Sequence, residues 1–205
     1  MALILNGNAN PKVVMYNGNS LRSVVYNGVV VWFTPNIYTG GSGSELFGTK
    51  SFCRDISGSG TYYASSRASF DASRMYAWLK FDNSLSTYRY GSVFIVSNMA
   101  FDISQYSTMT VTYTIHPNAT YPTKYYPGIQ IGMSTSCENS NYSLSGTHYI
   151  SSWKYTASGT TSITLDLTNA KAHGSLYYPY IYGYIGHDAS YTADIGFTVN
   201  SIVLS

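Results

Sequence analysis

Few residues of this chain are spaced to do covalent chemistry. Hydrolysis needs a carboxylate pair, or a nucleophile beside its base. Glu45 and Glu138 are the only glutamates, and each stands in a Gly-, Ser- or Asn-rich stretch without a partner at informative spacing. The four histidines, His116, His148, His173 and His187, are isolated, mostly beside turn residues, and none shows HExxH or HxH spacing. There is no GxSxG elbow, and neither Gly/Ser cluster, 40–44 or 57–60, has the order of a phosphate-cradling loop. Cys53 and Cys137 lie far apart without a CxxC partner and read as two buried free thiols rather than a disulfide or a zinc site. The expectation is a chain with no catalytic residue, no metal and no cofactor. Against it stands a hydrolase acting through Glu45 or Glu138.

The aromatic residues carry more signal. Between Leu176 and Ile185 a tyrosine recurs at every second position, Tyr178, Tyr180, Tyr182 and Tyr184. A strand places those four rings on one face and Ile181 and Ile185 on the other. The stripe then faces solvent or packs on a neighbour. A subunit interface, where Tyr and Trp are enriched and charge is depleted, is favoured over a glycan site. Tyr125, Tyr126, Trp153 and Tyr155 fall at expected loops, where flat rings with hydroxyls and amides nearby suit a sugar. There glycan binding and a protein interface compete evenly, and ordinary core packing is the third reading for both sets. Tyr76 and Trp78 share the ambiguity, opposite the apolar side of their own strand.

These rings have to be held by strands. Alternation places Met75, Ala77, Leu79 and Phe81 on one side of a segment, and Phe94 and Val96 belong to another. In Met109–Ile115 the residues Met109, Val111, Tyr113 and Ile115 face one way and the threonines the other, a strand with one wet face. Further strands read as Ile129, Ile131 and Met133, then Ile163, Leu165 and Leu167, then Leu176 to Ile185, and last Ile195 to Leu204. No segment offers ten residues at helical spacing. About eight short alternating strands divided by Gly, Asn, Ser and Pro predict an all-β fold, a jelly-roll-like antiparallel β-sandwich. Asp102 and Asp166, each followed two residues on by Ser or Thr, predict turn caps at strand ends rather than calcium ligands.

Composition agrees with a contact protein. Only 10% of the 205 residues are charged, while Tyr reaches 22 and Gly 18, so uncharged polar groups and phenols must keep the surface wet. A net charge of +2 spread over scattered basic residues gives no nucleic-acid footprint. No apolar run is long enough to span a membrane, and the start MALILNGNANPK lacks the regions of a secretory signal, so a cytoplasmic product is expected.

The N-terminal part is repetitive. Val14-Met15-Tyr16-Asn17-Gly18 recurs as Val24-Val25-Tyr26-Asn27-Gly28, with Ile4-Leu5-Asn6-Gly7 as a weaker copy. Val and Tyr suit a strand, and Asn-Gly fits the two positive-φ positions of a type I′ turn, so turns are predicted at Asn6-Gly7, Asn17-Gly18 and Asn27-Gly28. The product is a small β-meander over 1–34, with too little core to stand alone. It either anchors the protein to an assembly or forms the first hairpins of one continuous domain. Pro35 and Gly40–Ser44 predict a linker over 35–45, and the sandwich fills 46–205.

The line Val24-Val25-Tyr26-Asn27-Gly28-Val29-Val30-Val31-Trp32 resembles the N-terminal segment of minor structural, tail and fibre proteins of bacteriophages and prophages. Phe101–Val111 and Ile163–Thr168 are similar to the sandwich that follows in some of them. The resemblance implies a virion component assembled in the host cytoplasm. Its N-terminal module would join other virion proteins of tail or head, and its sandwich would project outward as a homo-oligomer, often a trimer, with host-surface glycan as a further partner. No depolymerase domain or long shaft follows, which favours a short adaptor, decoration or tip protein. A monomeric carbohydrate-binding module is the alternative.

Overall fold

Alternating side chains decide the body of this protein. The computed structural model describes residues 14–16, 19–21, 23–26, 29–33, 36–57, 60–62, 66–82, 89–117, 127–140, 143–156, 158–185 and 193–205. The chain is all-β: short N-terminal hairpins precede an antiparallel, jelly-roll-like sandwich whose main sheet is nearly closed.

The first strands are β1 (Val14–Tyr16), β2 (Asn19–Leu21), β3 (Ser23–Tyr26) and β4 (Val29–Phe33). They form two antiparallel hairpins, with Tyr16 opposite Asn19 and Tyr26 opposite Val29. The expected turn residues Asn6, Gly7, Asn17, Gly18, Asn27 and Gly28 lie outside the described residues. Next come β5 (Asn36–Tyr38) and α1 (Ser44–Phe47), inside or overlapping the stretch expected to be a linker. Gly40 and Gly41, both at positive φ, do interrupt this stretch. Ile37, Tyr38 and Phe47 are nevertheless buried, so β5 pairs with the last strand and the body takes in residues from 36 onward.

The body continues with β6 (Phe52–Ser57), β7 (Gly60–Tyr62), β8 (Ala68–Asp71), β9 (Tyr76–Asp82), β10 (Arg89–Val96), β11 (Ala100–Asp102) and β12 (Thr108–Pro117). Its second half holds β13 (Pro127–Ser134), β14 (Asn139–Ser140), β15 (Ser143–Leu144), β16 (His148–Ile150), β17 (Lys154–Tyr155) and β18 (Gly159–Asp166). It ends with α2 (Thr168–Lys171), β19 (Leu176–Ile185) and β20 (Ala193–Leu204).

One layer runs β7-β6-β10-β19-β13, with β16 and β17 along the far side of β13. The other runs β18-β12-β20-β9-β8, with β5 also on β20. β9 and β10 join the layers at a corner, where Phe81 stands opposite Tyr90 and Asp82 opposite Arg89. There Arg67 lies between Asp55 and Asp82, 3.8 and 3.6 Å away, with all three side chains only 12% exposed. β11 pairs antiparallel with β19 and parallel with β4, through Ala100 with Val29 and Phe101 with Val30, which ties the N-terminal hairpins to the body.

Inward residues of both layers make the core. Val111 and Tyr113 of β12 meet Ile129 and Ile131 of β13, Ile181 of β19 and Phe197 of β20, all fully buried. The outward side of β12 is hydroxyl: Thr110, Thr112 and Thr114 bond across to Thr164, Ser162 and Thr160 at 3.0, 2.8 and 2.8 Å. β20 changes parity once, at a bulge, where Asn200 donates to Thr114 Oγ1 and Val199 and Ile202 both stay buried. Asp102 and Asp166 accept the amides of Ser104 and Thr168 at 2.9 and 2.7 Å, closing the ends of β11 and β18.

Candidate functional site

The outer face of the β6-β10-β19-β13 layer is covered with rings, and strand register explains how. Tyr184, Tyr182 and Tyr180 stand beside Ser92, Phe94 and Val96 of β10 on one side. On the other they stand beside Gly128, Gln130 and Gly132 of β13. Two of the rings fill the space that glycine leaves: Tyr180 lies over Gly132 and Tyr184 over Gly128, and a β-carbon at either position would collide with the ring. Glycine is needed here for close approach.

Three rings stack across three strands. Phe52 lies on Phe94 with centroids 4.8 Å and planes 17° apart, and Phe94 on Tyr182 at 4.2 Å and 8°. That pitch is close to the strand spacing itself, so cross-strand rings in matching rotamers produce the column. Arg54, two residues along β6 from Phe52, lies over it, 5.0 Å from the Phe94 centroid and 5.4 Å from that of Tyr182. Its Nε donates to Ser92 Oγ at 2.8 Å and its Nη2 to the Tyr182 hydroxyl at 2.7 Å.

Trp153 lies crosswise on the end of this array. Its centroid is 5.2 Å from that of Tyr182 and 4.8 Å from that of Tyr184, with planes 61° and 71° apart. Tyr155 is within 29° of the Trp153 plane at 6.4 Å, and its hydroxyl is 3.2 Å from that of Tyr184. The segment carrying both rings starts from a fixed point. Ser151 exchanges bonds with Ile131 through its amide and its hydroxyl, and the Gln130 side chain donates to the Ser151 carbonyl at 2.9 Å.

Burial is uneven along the face. Tyr180 is only 4% exposed, packed with Phe94, Val96, Cys137 and Leu144, whereas Tyr155 is 50% exposed. Burial pushes the Tyr180 phenol well above its ordinary pKa. It does the same to Tyr184, with the Tyr155 hydroxyl adding to the shift. Both phenols are therefore neutral at physiological pH.

The chain matches no protein-family model and no curated protein.

Two sets of rings that read separately in the sequence form one cluster here. Trp153 and Tyr155, expected to hold sugar or a partner, rest on Tyr182 and Tyr184, expected to form an interface. Tyr125 and Tyr126 lie outside the described residues. Much of the tyrosine stripe is covered by its own chain, since Phe94, Arg54, Trp153 and the ring of His148 all lie against it. Sequence reasoning missed Phe52, Arg54 and Gln130. A signal for the site did exist in β13, where Gly128 and Gly132 flank Gln130 while Ile129, Ile131 and Met133 fill the other face. Glycine in a strand interior marks a place where something large passes.

Among the described residues no three His, Cys, Asp or Glu side chains gather as a metal set. Glu138 is held in an ion pair with Lys50, whose hydrogen bond lowers its pKa. His148 and His173 donate to the carbonyls of Leu144 and Asn169 at 2.8 and 2.9 Å, and His116 bonds Thr198 Oγ1 at 2.8 Å. His187 lies outside the described residues.

Proposed function

We propose that the protein is a non-enzymatic structural component of a bacteriophage particle, an adaptor, decoration or fibre protein of tail or head. The N-terminal hairpins join it to other virion proteins, and the sandwich forms a homo-oligomer, a trimer, that faces outward. One observation carries the reading: aromatic rings from β6, β10, β19 and the Trp153–Tyr155 segment gather on the outer face of one layer, with Arg54 as the cation bonded among them. Such a face loses little when a neighbour covers it, which is the composition of interface cores. The hairpins support the division of labour: among the described residues their strand pairing with the body is a parallel bridge of two residue pairs.

Deleting residues 1–34 tests this directly. The truncated chain is expected to fold, to keep its oligomeric state in light scattering coupled to size exclusion, and to disappear from particles. Particles that still carry it would overturn the anchor, and a monomeric full-length chain would point to a free-standing binding module.

A further inference from the structure

We propose that Trp153 and Tyr155 form a preset platform for a neutral saccharide, on which contiguous hexose units of an uncharged glycan lie flat. The inference rests on the contact reading above, to which it adds a ligand class, and does not depend on the protein being part of a particle.

A sugar ring binds an aromatic ring face to face, its C–H groups against the π surface. The site must therefore offer ring faces that are open, fixed and nearly parallel, with neutral hydrogen-bonding groups at the rim. The upright column of Phe52, Phe94 and Tyr182 does not qualify, because its rings turn their faces to one another. Tyr155 offers the open ring, and the partly buried Trp153 continues it. Their planes are within 29° of each other with centroids 6.4 Å apart, and Tyr155 is half exposed.

The platform is rigid before any ligand arrives. Trp153 is braced edge-to-face by two tyrosines, and Tyr155 is held by its hydroxyl against that of Tyr184. Rings fixed in this way lose little side-chain entropy on binding. Neutral donors and acceptors stand beside them: the Tyr155 and Tyr184 hydroxyls and the exposed Ser152.

Charge argues for an uncharged ligand. Lys154 lies between the two rings in sequence, yet its ammonium is bonded to the Ser162 carbonyl of the other layer at 2.8 Å. The cation that shares this face with the rings, Arg54, is likewise bonded to neutral partners, Ser92 Oγ and the Tyr182 hydroxyl.

The test uses the full chain in its native oligomeric state, with Trp32→Phe and Trp78→Phe so that Trp153 is the sole tryptophan, excited at a wavelength that tyrosine does not absorb. The probes are cellotetraose, maltotetraose, mannotetraose and chitotetraose, with a sialylated oligosaccharide as the acidic control. A saturable change in Trp153 emission with at least one neutral probe is expected. Tyr155→Ala, at a half-exposed site, should weaken that binding about tenfold or more by calorimetry. Thr112→Ala on the opposite layer should leave it unchanged. No saturable response to any neutral probe, a response to the acidic one alone, or binding indifferent to both Tyr155→Ala and Trp153→Ala would overturn the platform. So would loss of the oligomer in Tyr155→Ala, which would make the rings a subunit contact. Particle incorporation is read separately, so a chain that binds sugar but never joins particles keeps the platform and sinks the virion reading.

Discussion

Tyr184 crosses Gly128 of the neighbouring strand so closely that a β-carbon there would stand 2.7 Å from Cε1 of Tyr184 and 3.0 Å from Cε1 of Tyr155. Tyr180 bears the same relation to Gly132. The two positions differ in how far the ring can yield, because Tyr180 is buried and Tyr184 only partly so. Gly132→Ala is expected to destabilise the fold by about 1–3 kcal/mol, the usual cost of overpacking. Gly128→Ala should cost less, since its ring can swing outward, but should displace Tyr155 with it. Urea unfolding of Gly132→Ala, Tyr180→Ala and the double variant measures the coupling. An unchanged midpoint for Gly132→Ala would mean that the ring is not held there.

Arg67 between Asp55 and Asp82 sets up a second contrast. Arg67→Met takes the guanidinium from between two buried carboxylates and is expected to cost about 3–5 kcal/mol. Arg74→Ala removes a closer pair, 2.7 Å from Asp71, but that pair lies at the surface. It should barely move the unfolding midpoint. Equal effects in thermal melts of the two variants would contradict the burial argument.

What could be read from the sequence follows from what a half-buried strand requires. β19 runs from Leu176 to Ile185, the bounds that its alternation marks, and the threonines of β12 are outward while Val111, Tyr113 and Ile115 are inward. β5 could not be read this way, because Ile37-Tyr38 is too short to show a period between Pro35 and Gly40. Nor could the bulge at Asn200, since an extra residue reveals itself only against the neighbouring strand. The ring cluster was hidden for a further reason. Arg54 and Tyr182 are 128 residues apart and meet because β6 and β19 flank β10, and strand order is absent from any local pattern.

Lys154 guards an edge. Among the described residues β18 pairs only with β12, so its other side offers backbone groups to any strand that approaches. Residues 159–165 bring no charge to deter one. The Lys154 ammonium, bonded to the Ser162 carbonyl, occupies the middle of that edge and bridges the two layers. Lys154→Ala should leave the unfolding midpoint nearly unchanged and produce species larger than the wild-type oligomer as concentration rises, seen in sedimentation velocity. Lys154→Arg should behave as wild type. An alanine variant with the wild-type distribution at all concentrations would show that something else closes the edge.

Alkaline pH should expose how deeply the phenols and one thiol are buried. Desolvation, with the charge of Asp55 adding to it, raises the Cys53 thiol from an ordinary 9.0 to about 12, and Tyr180 and Tyr184 rise above their ordinary 10.0. Each group binds its proton more tightly in the folded chain than in the unfolded one, so the unfolded state loses protons first as pH rises. Their contribution is complete below about pH 9, where both states are protonated, and declines from there toward pH 12, first through the thiol and then through the phenols. The melting temperature should therefore fall steadily across that window and be insensitive to these groups below it. Cys53→Ala should remove the earliest part of the fall and leave the tyrosine part. In parallel, iodoacetamide at pH 8 should leave Cys53 unmodified in the native chain and alkylate it in urea. A melting temperature constant from pH 9 to 12, or rapid native alkylation of Cys53, would place these groups in water and undo the packing described for both faces of the β6-β10-β19 layer.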